Sequence, residues 1–465
     1  GDASAFISDF TLTSISRIEV LRGSGSSIHG TNAIGGVVDF QTPRPQKNLH
    51  GQFSTAFGGL GLQRYRGNLS DATENEKIGY TIGISRTLYT KGIDGDDDAH
   101  NTNFQSRIEF NPSERTNISG RFFLSDAFVK LNTGPDAAGT LPALNSTFIN
   151  AVRGTNFNAD VNDPDSFQRS KSFSGQIALT HVFNEKLILR SWYQGLKTSR
   201  KNDNGVLGTG FQSQSTSIFD GQIHTANSNL KWSPTRNNEI TFGYEFEAER
   251  YGNDGISPNP ANNFSTRAAQ NSHTLYVQDL LGLFNERLQL AGGVRAQFFQ
   301  LDRPTFSALN APYSGITTQS PTSALTFDGS VSYWFPRSGT KLRAHVGNGY
   351  RVPSLYERFG TFYSTFSSAF VALGDPNLEP EKTIAFDSGI DQSLFSGRAS
   401  FSAVYFYTKL LNTVGYGNVV PAIGTTTRPF GGYLNTDGGR SQGGEFSASL
   451  KPTSTTDIFA SYTYT

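Results

Sequence analysis

"ITFGYEFEAE" occupies Ile240 to Glu249. Phe242, Tyr244 and Phe246 point one way along it, and Glu245, Glu247 and Glu249 point the other. Successive side chains of an extended chain face opposite sides, so this period of two marks a strand with one apolar and one charged face. The pattern recurs. Ile78 to Leu88 reads "IGYTIGISRTL", with Ile78, Tyr80, Ile82 and Ile84 against Gly79, Thr81, Gly83 and Ser85. Arg398 to Lys409 reads "RASFSAVYFYTK". Such runs reach about ten residues or more, long for a globular sheet. A Phe, Tyr and Ile face opposite a charged or small polar face is the pattern of a transmembrane barrel strand, with lipid outside and water or protein inside.

The connections between these runs point the same way. Short turns fall at Glu74–Glu76, Pro112–Glu114, Asn184–Glu185, Pro234–Asn238, Asn285–Glu286, Pro336–Gly339, Ser396–Gly397 and Pro452–Thr455. Between them lie mostly long connections, at 90–101, 130–166, 200–216, 251–268, 303–320, 352–378 and 412–432. Only the first hairpin, near Gly58–Gly61, has a tight outer loop. Short and long ends alternate as periplasmic turns and extracellular loops do in outer-membrane barrels. Trp232 and Trp334 stand beside short turns, where an interfacial aromatic girdle belongs. A soluble β-sandwich or propeller explains the alternation but neither the strand lengths nor the one-sided loops, and no blade-length repeat is visible. The expected fold is therefore all-β, a transmembrane antiparallel β-barrel. About seventeen strands are expected from Asn48 to Thr465. Because bacterial single-chain barrels have even strand numbers and "DIFASYTYT" stops in mid-alternation, a C-terminally truncated wall is expected.

Composition narrows the function. The 465 residues hold 39 basic and 39 acidic side chains, giving no net charge to steer the chain to nucleic acid. There is no cysteine, which removes disulfides, thiolate metal sites and thiol nucleophiles. Methionine is also absent, and no charged-then-apolar leader opens the chain, as expected of a processed, trimmed or incomplete chain. No apolar run reaches the roughly 18 residues of a transmembrane helix. Only 36% of residues are hydrophobic, yet there are 49 Gly, 37 Phe and 18 Tyr, a balance suited to a wall with one apolar and one wet face.

Ahead of the strands lies "VLRGSGSSIHGTNAIGGVVDF", Val20 to Phe40. It is not a P-loop, because Gly30 is followed by Thr31 and no lysine is near. It misses the dinucleotide pattern, since Ile28 stands where the third glycine belongs, and it contains no Gly-x-Ser-x-Gly elbow. Short strands and tight turns, with glycines supplying positive φ, remain. The seven histidines form no spaced cluster with Ser and Asp. His29 reads as a turn or packing residue, and His181, His224, His273 and His345 as wall-lining residues, so the chain is not read as an enzyme.

The longer segment "ISRIEVLRGSGSSIHGTNAIGGVVDFQTPRP" (Ile15 to Pro45) resembles the end of the plug domain of TonB-dependent outer-membrane receptors. "GNGYRVPSLYERF" (Gly347 to Phe359), "GDPNLEPEKTIAFDSGI" (Gly374 to Ile390) and "GRSQGGEFSASLKP" (Gly439 to Pro452) resemble that family's barrel signatures, in the family's order. The resemblance implies that residues 1–45 are the C-terminal part of a lumenal plug domain and residues 46–465 a barrel with about 17 of about 22 strands. It implies an integral β-barrel of the bacterial outer membrane, a monomer in contact with outer-membrane lipid. The implied partners are the TonB-ExbB-ExbD energising complex and a small-molecule metal chelate. The implied function is active import of a ferric siderophore or cobalamin; haem, glycans or a passive porin-like channel are the alternatives. A porin should not carry Ile15–Phe40 ahead of its first strand.

Three groups of residues are candidate sites. "DGDDDAH" places Asp94, Asp96, Asp97 and Asp98 in an outer loop. Clustered carboxylates are hard oxygen ligands suited to Ca²⁺. The spacing is not that of an EF-hand, and a solvated acidic turn is the plainer reading; no other cofactor is expected. "YERFGTFYSTFSSAF" (Tyr356 to Phe370) gives an aromatic outer loop. Tyr356, Phe359, Phe362, Tyr363 and Phe366, with Arg351 beside them, are candidates to grip a flat chelate, or else to anchor the loop over the mouth. Finally, alternation turns Ile384 and Phe386 to lipid and Asp387 to the lumen. It likewise turns Phe446, Ala448 and Leu450 out and Glu445 in. Inward carboxylates facing a plug need a partner, and Arg22 can bridge two of them. The family resemblance implies the same plug–barrel lock of Arg22, Asp387 and Glu445, with Asp387 standing where Glu is usual.

Overall fold

The computed structural model describes residues 15–22, 26–92, 98–131, 137–138, 156–157, 165–207, 214–308, 311–313, 315–424 and 426–465, without the side chains of residues 22, 28, 29, 137, 138, 156 and 157. Among the described residues seventeen wall strands, each antiparallel to the next, run in unbroken ladders from His50–Phe57 to Thr456–Tyr464. The longest, Ser215–Thr235, has 21 residues.

Register fixes which face meets lipid. Phe242 pairs with Val277 and Tyr244 with Leu275, so four apolar side chains share the outer face. They are 48%, 38%, 43% and 59% exposed in that order. Their inward neighbours are polar, and Thr274, Asn103, Ser85 and Thr383 are all nearly inaccessible. This wall is apolar outside and polar inside, the reverse of a soluble domain. Moving each outward side chain from water into lipid is worth roughly 1.5–3 kcal/mol, the magnitude for full burial of such a group. A one-residue slip would turn the glutamates of Asn238–Ile256 into the bilayer, so the register is strongly held.

The loops are shorter than the sequence pattern suggests. The connection expected at 251–268 shrinks to 257–263, because strands run on to Ile256 and restart at Phe264. That expected at 200–216 begins only after Asn204, and Ala399–Gly417 reaches into the one expected at 412–432. Above the lipid both faces are polar, as where Arg267 Nη2 meets Asp254 2.8 Å away across the pair of strands. Alternating hydropathy stops there, but the backbone ladder does not. The first hairpin is tight as expected: Leu60 (φ 61°) and Gly61 (φ 70°) close a turn between Phe57 and Leu62.

The strand order forms a ring in which Thr456–Tyr464 and His50–Phe57 are neighbours. At that seam every residue of both strands is exposed. With seventeen alternating strands these two run in the same direction.

Inside the wall lies a hairpin of Arg17–Arg22 and Gly36–Gln41, in register from Arg17↔Gln41 to Arg22↔Gly36. One helical turn, Ser26–His29, sits between its strands; the sequence reading had only strands and turns there. The turn packs on the strands Leu288–Leu301, Ala324–Phe335 and Thr340–Arg351.

Candidate functional site in the barrel lumen

The glycine-rich segment is seated by small hydroxyl side chains. Ser26 and Ser27 are buried. Ser27 Oγ donates to the Asp328 carboxylate. Ser26 Oγ accepts from Tyr350 N–H at 3.2 Å, and Thr31 Oγ1 accepts from Val352 N–H at 3.2 Å. Asn32 N–H donates to Tyr350 O at 3.3 Å. Two residues of the glycine-rich segment thus satisfy both backbone groups of Tyr350, and a third satisfies Val352. Where the plug leaves for the wall, Arg107 Nη1 holds Thr42 O at 3.1 Å and its guanidinium also pairs with Glu109.

Gly30 shows why glycine is needed. Its φ is +85°, and a Cβ there would lie 2.8 Å from Arg295 Nη2. Arg295 cannot readily withdraw. Its side chain is 4% exposed, pairs with Glu245 at 2.5 Å and lies over the Tyr276 ring at 5.7 Å. Glu245 also accepts from Asn227 at 3.0 Å. The acidic face read from "ITFGYEFEAE" therefore begins the support of the plug.

Beside the plug hairpin is a lumenal cavity of about 1230 Å³, lined by Val20 and Leu21 of the plug and by Arg343, His345, Asp387 and Glu445 of the wall. Asp387 and Glu445 both line this cavity, and Phe386 and Phe446 are 41% and 44% exposed. Asp387 is held on the wall by His345 Nδ1 at 3.0 Å, with Arg343 Nη1 at 4.0 Å. The side chain of Arg22 lies outside the described residues. His224 and His273 face outward, each bonded to a tyrosine hydroxyl, of Tyr193 at 2.7 Å and Tyr244 at 2.8 Å.

At the long-loop end an apolar core ties several loops together: Ala268, Tyr313, Leu355, Phe359, Ala372 and Ile423. The helical turn Leu355–Phe359 is fixed by a capping box, with Ser354 and Glu357 each bonding the other's backbone N–H. Tyr313 OH donates to Gly360 O at 2.6 Å and accepts from Gly374 N–H at 3.0 Å. Burial pushes this phenol above its usual range. Arg358 donates to Pro376 O at 2.8 Å and Gln319 O at 2.7 Å, and burial lowers its pKa to about 10. Arg428 reaches Tyr433 O at 2.7 Å and Pro421 O at 3.0 Å.

This arrangement sorts the candidate contact residues. Phe359 is completely buried in the loop core, so it anchors the loop rather than facing a ligand. Arg351 gives its guanidinium to Glu357, at 2.9 and 3.0 Å, and to Glu381, so it too is committed to scaffolding. Tyr356 joins an aromatic group with Phe219, Tyr251 and Tyr433, at centroid distances of 5.7, 6.2 and 6.0 Å. Phe362 meets Phe430 at 5.8 Å, Tyr363 meets Phe370 at 5.2 Å, and Phe366 is 92% exposed at the hairpin tip. The sequence reading missed Phe219, Tyr251, Tyr433 and the anchors Tyr313, Arg358 and Arg428. They come from separate loops and strands, and no local spacing links them. Of the acidic loop, Asp94, Asp96 and Asp97 lie outside the described residues. Asp98 is exposed, and no metal-holding group of His, Asp or Glu occurs among the described residues.

Comparison with known proteins gives one family. Residues 103–465 match the family described as TonB dependent receptor-like, beta-barrel. An iron-regulated outer membrane virulence protein of Vibrio cholerae serotype O1 is 23% identical over 473 residues, covering 98% of this chain. The chain spans 63% of that relative's length. Among solved structures, the alcaligin outer membrane receptor FauA of Bordetella pertussis aligns with TM-score 0.69 at 15% identity, over 99% of this chain and 68% of FauA. The ferripyoverdine receptor of Pseudomonas aeruginosa aligns with TM-score 0.72 at 13% identity, over 97% of this chain and 60% of the receptor. At such identities the structural likeness is one of fold.

Proposed function

Since the chain belongs to the TonB-dependent receptor family and forms an outer-membrane β-barrel, we propose that it serves energised import of a ferric siderophore, with a TonB-type complex of the inner membrane supplying the force. The observation that carries this reading is a plug segment hydrogen-bonded inside the wall directly beneath an aromatic mouth. A passive pore has no use for such a seat. The Vibrio cholerae relative is described as iron-regulated and the Pseudomonas aeruginosa receptor as bound to ferripyoverdine, which favours a ferric siderophore over cobalamin, haem or glycans.

The geometry suggests how the two ends communicate. Tyr350 and Val352 bond the plug, the capping box starts at Ser354, and Tyr356 stands in the aromatic group. Ligand pressing on Tyr356 would therefore bear on the short segment that grips Ser26, Thr31 and Asn32. Tyr251, Tyr356, Phe219 and Tyr433 offer ring faces to a planar chelate. Pulling the plug would break the bonds of Ser26, Ser27, Thr31 and Asn32, each worth about 0.5–1.5 kcal/mol net. Their small number lets a modest force free the segment. In the same reading Arg22 bridges toward Glu445 and Asp387 across the shared cavity. The test is growth of a receptor-deficient bacterium carrying the gene, under iron limitation and under cobalamin limitation separately. Rescue by a ferric siderophore alone supports the proposal; rescue by cobalamin alone overturns it.

A further inference from the structure

Three cations meet on the lipid side of the wall. Lys409 of the strand Ala399–Gly417 lies directly opposite Arg440 of Arg440–Thr453. On its other side Lys409 pairs with Ile384, and Lys382 follows two residues along that strand, past a register shift that sets it opposite Asn412. All three are exposed, on the outer face that carries Ile384, Phe386, Tyr405 and Phe446. The outward positions of these three strands include no carboxylate. None of the three cations forms an ion pair among the described residues; Glu381, next to Lys382 in sequence, pairs with Arg351, and Asp437, near Arg440, forms none with them. Like charges directly opposite on paired strands, with Cβ atoms about 5 Å apart, are destabilising unless an anion joins them.

Their height identifies the anion. Lys409 stands about 33 Å from the start of its strand at Ala399, just after the short turn, at roughly 3.3 Å per residue. A tilt of about 40° reduces this to about 25 Å, the height of the apolar band of an outer-membrane barrel. The cluster therefore lies at the upper edge of that band, where headgroups of the outer leaflet begin. Below it the exposed Phe386, Tyr405, Phe446 and Leu450 offer an apolar surface for acyl chains. We propose that Lys382, Lys409 and Arg440 form a docking site for the phosphorylated headgroup of an outer-leaflet glycolipid. Arg440 supplies a planar fork for phosphate oxygens and the two lysines supply point charges. Lys197 and Arg250 lie at similar height elsewhere on the wall, but the neutral Gln222 stands between them. They serve as the control for a merely basic belt.

The test incubates the detergent-purified protein with bisphosphorylated lipid A, or with the same lipid after phosphatase treatment, and measures the lipid retained. The expected result is preferential retention of the phosphorylated form. Each charge removed in Lys382→Gln, Lys409→Gln and Arg440→Gln should weaken it about fivefold. Lys197→Gln with Arg250→Gln should change it less than about twofold. If the triple variant fails to fold, Lys409→Gln alone carries the test, and the exchange Lys409→Arg with Arg440→Lys should retain binding. Equal retention of dephosphorylated lipid overturns the proposal, as does an equal loss in the control variant. Displacement by equimolar inorganic phosphate overturns the assignment to a lipid.

Discussion

Gly30 is the position where one atom decides the seating of the plug. Any side chain there would adopt a left-handed φ and meet the guanidinium of Arg295, which Glu245 and Tyr276 hold in place. Gly30→Ala should cost about 1–3 kcal/mol of seating, a roughly five- to hundredfold shift toward the unseated plug. Single-protein conductance in planar bilayers should rise accordingly; an unchanged conductance would show that the segment relaxes around the methyl. Arg22→Ala should act in the same direction through Glu445 and Asp387. The readout is again leak current, and the double variant Arg22→Ala/Glu445→Ala should leak no more than Arg22→Ala alone. Additive leaks from the two substitutions would mean that the residues do not act as a pair.

The loop core is the element whose stability answers to pH. Tyr313 is neutral and buried, with its hydroxyl between Gly360 O and Gly374 N–H. Its folded pKa is raised, so its contribution is complete below about pH 10, the ordinary value for the phenol, and declines as pH rises toward the folded value. Arg358 works in the opposite sense over the same range, because burial lowers its pKa to about 10. Wild type must therefore be compared with Tyr313→Phe. That variant should lose about 0.5–1.5 kcal/mol near neutral pH, since the phenol's hydrogen bonds are lost while Gly374 N–H still reaches Gly360 O at 3.1 Å. It should also lose the part of the alkaline destabilisation due to the phenol. Limited proteolysis within 352–378 as a function of pH reads both effects. An identical alkaline profile in the two proteins would remove Tyr313 from the account.

For the molecule as a whole, the seam is the exposed feature. Unpaired backbone in a bilayer costs several kcal/mol per group, so how these two neighbouring strands meet bears on the whole wall. Because His50–Phe57 and Thr456–Tyr464 run in the same direction, their meeting differs from every registered pair of the wall, all of which are antiparallel. In micelles, amide exchange of this chain should be fast along the edges where these two strands meet. It should be slow in Ile78–Tyr89, which is paired on both sides. Equal protection at the seam would show that the two edges find each other. Most of the wall was legible in the chain itself, since alternation along "ITFGYEFEAE" and its counterparts dictates strand, face and register wherever one side meets lipid. That rule also turned Asp387 and Glu445 inward and marked the short turns. It failed above the lipid, where polar residues occupy both faces and strands continue unannounced to Ile256 and Asn204. It failed again for the aromatic loop, because Phe359 and Tyr356 lie three residues apart on one helical turn, one buried in the loop core and one among the mouth aromatics. Which of them is buried depends on Tyr313, Ile423 and Tyr251, brought from distant parts of the chain. Local chemistry is enough where the solvent changes sharply from one face to the other; where both faces meet protein, only the partners that tertiary structure supplies decide.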